Sequence, residues 1–215
     1  MKSLGIRPNP VKELRENQIK EAALRLFSEK GFHNTTISEI ASAAGLGKGT
    51  VYWYWNSKEE LAFSLVSDML SAFLDLVERA SKKDGPVMQR LEKLVDDLAD
   101  LYDHEKDYCR LLLKFRADRH YTFNPDYIEK VISYYVRMRG AIADLIEQGI
   151  KRGELMKVDS RFMAFVFLGI VEGLELEWLE NEDEFSLREG LKAVLDLIRG
   201  SYYRKTSFAK HASRI

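Results

Sequence analysis

Thr36–Lys58 reads TISEIASAAGLGKGTVYWYWNSK, and this stretch decides how the chain folds. Thr36 followed by Glu39 is a capping box. The hydroxyl accepts from the Glu39 amide, the carboxylate reaches back to the Thr36 amide, and Ile37, Ile40, Ala41 and Ala44 continue at helical spacing. Gly45 stops that helix because it tolerates the left-handed conformation a helix end needs, and Gly45 and Gly47 allow a sharp reversal around a buried Leu46. Lys48 to Trp55 then form a second short helix. Val51 and Trp55 face inward, Gly49, Thr50 and Trp53 face out, and Tyr52 and Tyr54 flank them. Eight residues cannot bury Tyr52, Trp53, Tyr54 and Trp55 together, and Ser57 with Glu60 starts another helix at once, so some rings stay outside. Two short helices with a glycine corner and an exposed polar and aromatic face describe a helix-turn-helix that reads DNA.

Each outward residue type has a role in such a reader. Thr36, Gly49, Thr50, Trp53 and Tyr54 are candidate contacts of a face whose hydroxyls, indole and phenols offer hydrogen bonds and apolar contact to thymine methyls, while Tyr52 and Lys58 are assigned to the phosphate backbone. Lys48 lies nearer the core side of the wheel, with a stem long enough to swing outward.

Upstream, Ile19, Ala22, Ala23, Leu26 and Phe27 recur at helical spacing up to Gly31 and brace the reader. On these residues and the 36–58 stretch, the first quarter of the chain resembles the DNA-binding segment of the TetR/AcrR family of bacterial transcriptional regulators. Two positions depart from the family pattern: Gly47 stands where Ser or Thr is usual, and Trp55 where Phe is usual. Glycine is nearly as good an N-cap, and tryptophan fills a phenylalanine site if its N–H finds a partner. The resemblance implies an all-α protein with residues 1–56 binding double-stranded operator DNA and residues 57–215 sensing a small-molecule effector and forming a homodimer.

Composition agrees with the all-α expectation: four prolines in 215 residues and abundant Leu, Glu, Lys, Ala and Arg. Net charge is −1, but residues 1–56 carry eight Lys and Arg against five Asp and Glu, whereas the remainder carries 25 against 29. A basic head and an acidic body would orient the molecule on a polyanion. The lone Cys109 excludes an intrachain disulfide and suits a reducing cytoplasm. Neither a signal peptide nor a bilayer-crossing run is read, the longest apolar stretch being Phe162–Val171, so no membrane partner is expected.

Beyond the reader the chain continues as long amphipathic helices. One begins at Lys58, and others are opened by Pro86, Asn124-Pro125, Asp159 and Ser186. A shorter helix over 107–119 is followed by an aromatic loop, His120–Phe123. The helix after Asp159 is apolar nearly all round, which calls for a second subunit. Phe162 and Val166 supply bulk, and Gly169 and Gly173, one turn apart, permit close approach. The family resemblance implies that this helix and the last one, with Leu191 and Leu195 on its stripe, pair with their copies as a four-helix interface.

For the effector, Tyr102, Tyr108, Leu112 and Phe115, with Tyr134, Met138, Phe165 and Trp178, are the candidate cavity lining. Arg116 and Arg137 are the candidate partners of an anionic group, and a hydrophobic carboxylate or acyl thioester is the ligand class expected. No cofactor or metal is expected. The four histidines are scattered, Cys109 has no second thiol nearby, and Gly45–Thr50 lacks the Lys-Ser/Thr ending and preceding strand of a phosphate loop. With no catalytic constellation, the chain reads as a ligand-released repressor rather than an enzyme. The alternative is an architectural or adaptor protein whose body binds another protein and has no pocket. The arm 1–9 and the basic tail 204–215 are read as mobile ends.

Overall fold

The computed structural model describes residues 10–202, without the side chains of 118–122, 201 and 202; the arm and the basic tail lie outside the described residues. Among these, the chain forms nine helices and no strand: α1 Pro10–Lys30, α2 Ile37–Ala43, α3 Lys48–Tyr54, α4 Lys58–Lys82, α5 Val87–His104, α6 Lys106–Thr122, α7 Pro125–Lys151, α8 Ser160–Glu180 and α9 Leu187–Tyr202. None is long and apolar enough to cross a membrane. The expected starts at Lys58, Pro125 and Asp159 are all found. Asp159 caps α8 by accepting from Arg161 N and Phe162 N, both at 3.0 Å. One expectation fails: His120–Thr122 continue α6 instead of forming a loop, and only Phe123 and Asn124 separate it from α7.

Two compact units emerge, residues 1–70 with 105–131 and residues 71–104 with 132–215. In the first, α1 packs against α2 and α6, and α2 against α3. Ile19, Phe27, Ile40, Val51, Leu61 and Phe115 are its buried centre. Phe123 drops into it beside Phe115 (4.2 Å) and Phe32 (5.0 Å), which is why the α6–α7 connection is so short. Fully burying side chains of this size contributes roughly 1.5 to 3 kcal/mol each.

In the second unit α9 packs on α5 and α8. Arg90, almost wholly buried, closes the end of α4 by donating to Ala80 O (2.9 Å) and Ser81 O (2.8 Å), and reaches Gln148 on α7 at 2.9 Å. Its charge is tolerated there because every arm of the guanidinium meets an acceptor. The acidic face of α5 is held by α9. Arg188 bridges Asp96 and Asp100, Lys192 reaches Asp96 at 3.2 Å, and Arg199 pairs with Glu92. Gly149 is needed for packing, since a Cβ there would meet Leu155 and Val87 within about 3 Å.

Candidate nucleic-acid interface

The reader is built as its residue order requires. Thr36 Oγ1 accepts from Glu39 N at 3.2 Å and Glu39 returns to Thr36 N at 2.8 Å, completing the capping box. At the other end of α2 the Leu46 amide reaches Ala41 O and the Gly45 amide reaches Ser42 O. This paired closure requires a left-handed residue, and Gly45 supplies it with φ 68°. Gly47 uses no such freedom: it is the extended N-cap of α3 at φ −77°. Leu46, expected buried in the corner, is half-exposed.

On α3, Val51 and Trp55 are buried as the helical wheel requires, while Trp53 is 69% and Tyr52 46% exposed. Gly49 is exposed with open space where a side chain would stand, and Thr50 is half-buried beside it. Lys48 departs from the wheel reading: it lies outside, 5.8 Å over the Tyr52 ring.

Three residues assigned to DNA have internal duties. Thr36 spends its hydroxyl on the capping box, accepting from the Glu39 amide and donating to the Glu39 carboxylate at 2.9 Å. Tyr54 donates its hydroxyl to Lys12 O at 3.0 Å and so pins α3 to the start of α1. Lys58 requires correction. Its ammonium turns into the protein, donating to Phe32 O (2.7 Å) and Thr35 O (2.8 Å) over the Phe32 ring (4.3 Å), and burial lowers its pKa. Those carbonyls belong to the α1–α2 connection, whose own last turn is closed by buried Thr35 donating to Leu26 O and Gly31 O. Lys58 therefore ties the start of α4 to the α1–α2 connection of the reader.

Two cations that the sequence spacing did not single out stand beside the outer face of α3. Lys12 and Arg15 on α1 line a surface recess of about 360 Å³ with Gly49, Thr50 and Trp53 of α3. Lys12 Nζ stands 5.4 Å over the Trp53 ring. Their spacing of three puts both on one face of α1, but no local signal announces that α3 lies against that face.

Glu39 gives a pH test of the capping box. The Thr36 backbone N–H, Lys30 (3.1 Å) and the Thr36 hydroxyl hold its carboxyl down to about 2 from an ordinary 4.5. A depressed carboxylate stabilises the fold above its unfolded pKa, and that contribution disappears as pH falls from 4.5 toward 2. The stability difference between parent and Glu39→Gln, from urea melts, is expected to shrink steadily through that window. A difference that stays constant there would show that the carboxylate charge contributes nothing.

The effector candidates are distributed over both units. Tyr108, Leu112, Phe115 and Arg116 belong to the first unit, and Tyr102, Tyr134, Arg137, Met138, Phe165 and Trp178 to the second. Within the first, Leu112 and Phe115 are core, Arg116 is half-buried, and burial pushes the half-buried Tyr108 phenol up to about 12. Within the second, Tyr102, Met138 and Trp178 are buried and Tyr134 is half-exposed. Tyr102 stands between Phe73 (5.0 Å) and Trp178 (6.4 Å) and donates to the buried Glu175 carboxylate at 3.2 Å. Two candidates are corrected. Arg137 is exposed and paired with Glu78 at 2.7 Å, and Phe165 is 58% exposed with the Arg139 guanidinium 4.7 Å over its ring.

Phe165 instead shares a face of α8 with exposed Phe162, Gly169 and Gly173, while Val166 beside them is half-buried. Leu191 and Leu195, assigned to a subunit interface, are buried within their own chain, where α9 packs against α5 and α8. Leu197 on α9 is 71% exposed.

Residues 19–65 match the model described as bacterial regulatory proteins, tetR family, and residues 84–200 match a tetracyclin repressor-like C-terminal domain. The HTH-type transcriptional regulator HbdR of Aromatoleum sp. (strain CIB) is 31% identical over 217 residues, covering 98% of this chain and 91% of that protein. Two solved structures share the fold at 22% identity. A putative transcriptional regulator from Saccharomonospora viridis in complex with choline has a TM-score of 0.76, covering 88% of this chain and 98% of its own. The regulator FadR from Bacillus subtilis in complex with stearoyl-CoA has 0.71, covering 85% and 96%.

Proposed function

The chain belongs to the tetR family of bacterial regulatory proteins, and from that premise we propose that it is a homodimeric repressor that a small hydrophobic ligand releases from its operator. The observation that carries the DNA-binding part is the outer face of α3. Lys48, Gly49, Tyr52 and Trp53 stand outside and Thr50 half-outside, on a helix fixed from behind by buried Val51 and Trp55. Hydroxyl, backbone and ring edges at that spacing suit a major groove, with basic side chains beside them for the phosphates. A Thr50→Ala protein is expected to lose about 1 to 3 kcal/mol of affinity for a duplex selected by the parent chain, with its melting unchanged. Val51→Ala is expected to do the converse, losing on the order of 2 kcal/mol of stability. Anisotropy titrations and thermal melts of the two proteins decide it; a Thr50→Ala protein that binds every duplex like the parent removes Thr50 from the interface.

Dimerisation is supported by the exposed α8 stripe of Phe162, Phe165, Gly169 and Gly173, continued by Leu176, and by the exposure of Leu197 on α9. Ligand release is supported by the make-up of α4, one continuous helix whose first residues hold the reader through Lys58 and whose last turns belong to the second unit. An acyl thioester or fatty acid is the first ligand class, supported by likeness to the stearoyl-CoA-bound structure. A second class has its own observation. Buried Glu175 beside Tyr102 and Trp178 is chemistry that suits an organic cation, and choline occupies the Saccharomonospora neighbour.

A further inference from the structure

The recess between α1 and α3 is chemically distinct from the rest of the reader. Its α1 wall carries two cations, Lys12 and Arg15, three residues apart on one face. Its α3 wall carries an exposed indole, Trp53, a hydroxyl, Thr50, and a glycine, Gly49, with nothing within 4 Å of the place a Cβ would take. The walls are fixed to each other. Tyr54 Oη donates to the Lys12 carbonyl at 3.0 Å, and the edge-on packing of Tyr54 against Trp53 at 4.7 Å sets the plane of the indole. Lys12 Nζ over the indole at 5.4 Å holds a cation at the mouth.

We propose that this recess seats one sugar-phosphate step of the operator strand, with Lys12 and Arg15 on the phosphate and the Trp53 indole against the 5-methyl of the adjoining thymine. Two cations and a hydroxyl match a phosphodiester, and the absent side chain at Gly49 lets the strand approach the α3 backbone. An indole held edge and face by its neighbours can select an apolar methyl without losing rotamer freedom when it binds. DNA reading thus extends from α3 onto α1. The inference rests on the operator-binding reading and adds to it a second wall and a named base feature.

The test uses the full chain and a duplex it selects from a random library, together with copies in which each thymine in turn is replaced by deoxyuridine. For the parent, one replacement per half-site is expected to weaken binding about three- to fivefold, the worth of one buried methyl. With Trp53→Ala the same replacement has no effect. Lys12→Ala and Arg15→Ala are each expected to lower the salt dependence of binding by roughly one unit of log Kd per log salt. Trp53 is exposed and Tyr54 bonds the Lys12 backbone, so none of these changes removes a core contact. Thermal melts check this, and Trp53→Phe keeps the uracil scan interpretable should the alanine protein melt early. Parent-like salt slopes for both cation variants, or a uracil scan identical in parent and Trp53 variants, overturn the inference while leaving operator binding intact. A library from which the parent enriches no sequence overturns the operator reading and this inference together.

Discussion

A Gly173→Glu protein is expected to sediment as a monomer at micromolar concentration and to lose roughly a hundredfold or more in affinity for a duplex with two half-sites, because the second head no longer adds its binding. The reasoning starts from space. A Cβ at Gly173 meets nothing within 4 Å, so the single chain accommodates the side chain without strain, and glutamate is a better helix former than glycine. Folding is therefore spared and the effect lies between chains. Phe162, Phe165, Gly169, Gly173 and Leu176 recur at helical spacing along one exposed face of α8, and two-fold pairing would place the new carboxylate of each copy in an apolar contact. An uncompensated buried charge costs several kcal/mol, and symmetry counts it twice. A Gly173→Glu protein that stays dimeric and binds both half-sites would put the interface on another face.

The second large effect is antagonism between effector and operator. A ligand found by thermal shift among fatty acids, acyl-CoA thioesters and choline is expected to bind the operator complex about 5- to 150-fold more weakly than the free protein, and by linkage to weaken operator binding by the same factor. The route proposed is α4. Asn56 and Ser57 are the two residues between the end cap of α3 and the start of α4, and Lys58 fastens that start to the carbonyls of Phe32 and Thr35. A tilt of α4 would carry the reader with it, and in a dimer it would change the separation of two heads that must match grooves a fixed distance apart. Calorimetric titration of the ligand with and without operator gives the factor. Equal affinities would leave the body without a regulatory link to the head and favour an adaptor role.

What the sequence disclosed and what it withheld divide along the range of the interactions. The capping box, the Gly45 reversal and the burial of Val51 and Trp55 depend on residues within a turn or two of each other, and spacing alone exposes them. Lys58 was misassigned because its acceptors lie 23 and 26 residues earlier in a connection whose path spacing does not reveal. The same limit hid Lys12, whose carbonyl and ammonium meet α3 across some 40 residues. An apolar stripe states that a face is covered but not by what, so Leu191 and Leu195 could be offered to a partner when their own chain covers them. Phe165 erred the opposite way, an aromatic residue assigned to the interior that stands outside.

Sequencing the duplexes that the full chain retains from a random library, over several rounds and at two salt concentrations, tests the central claim most directly. A dimer of α3 readers predicts an inverted repeat whose half-site centres lie about 10 to 10.5 base pairs apart or a multiple of that, enriched more sharply at the higher salt. A pool that remains random at both salts, or that enriches single unpaired sites, contradicts it.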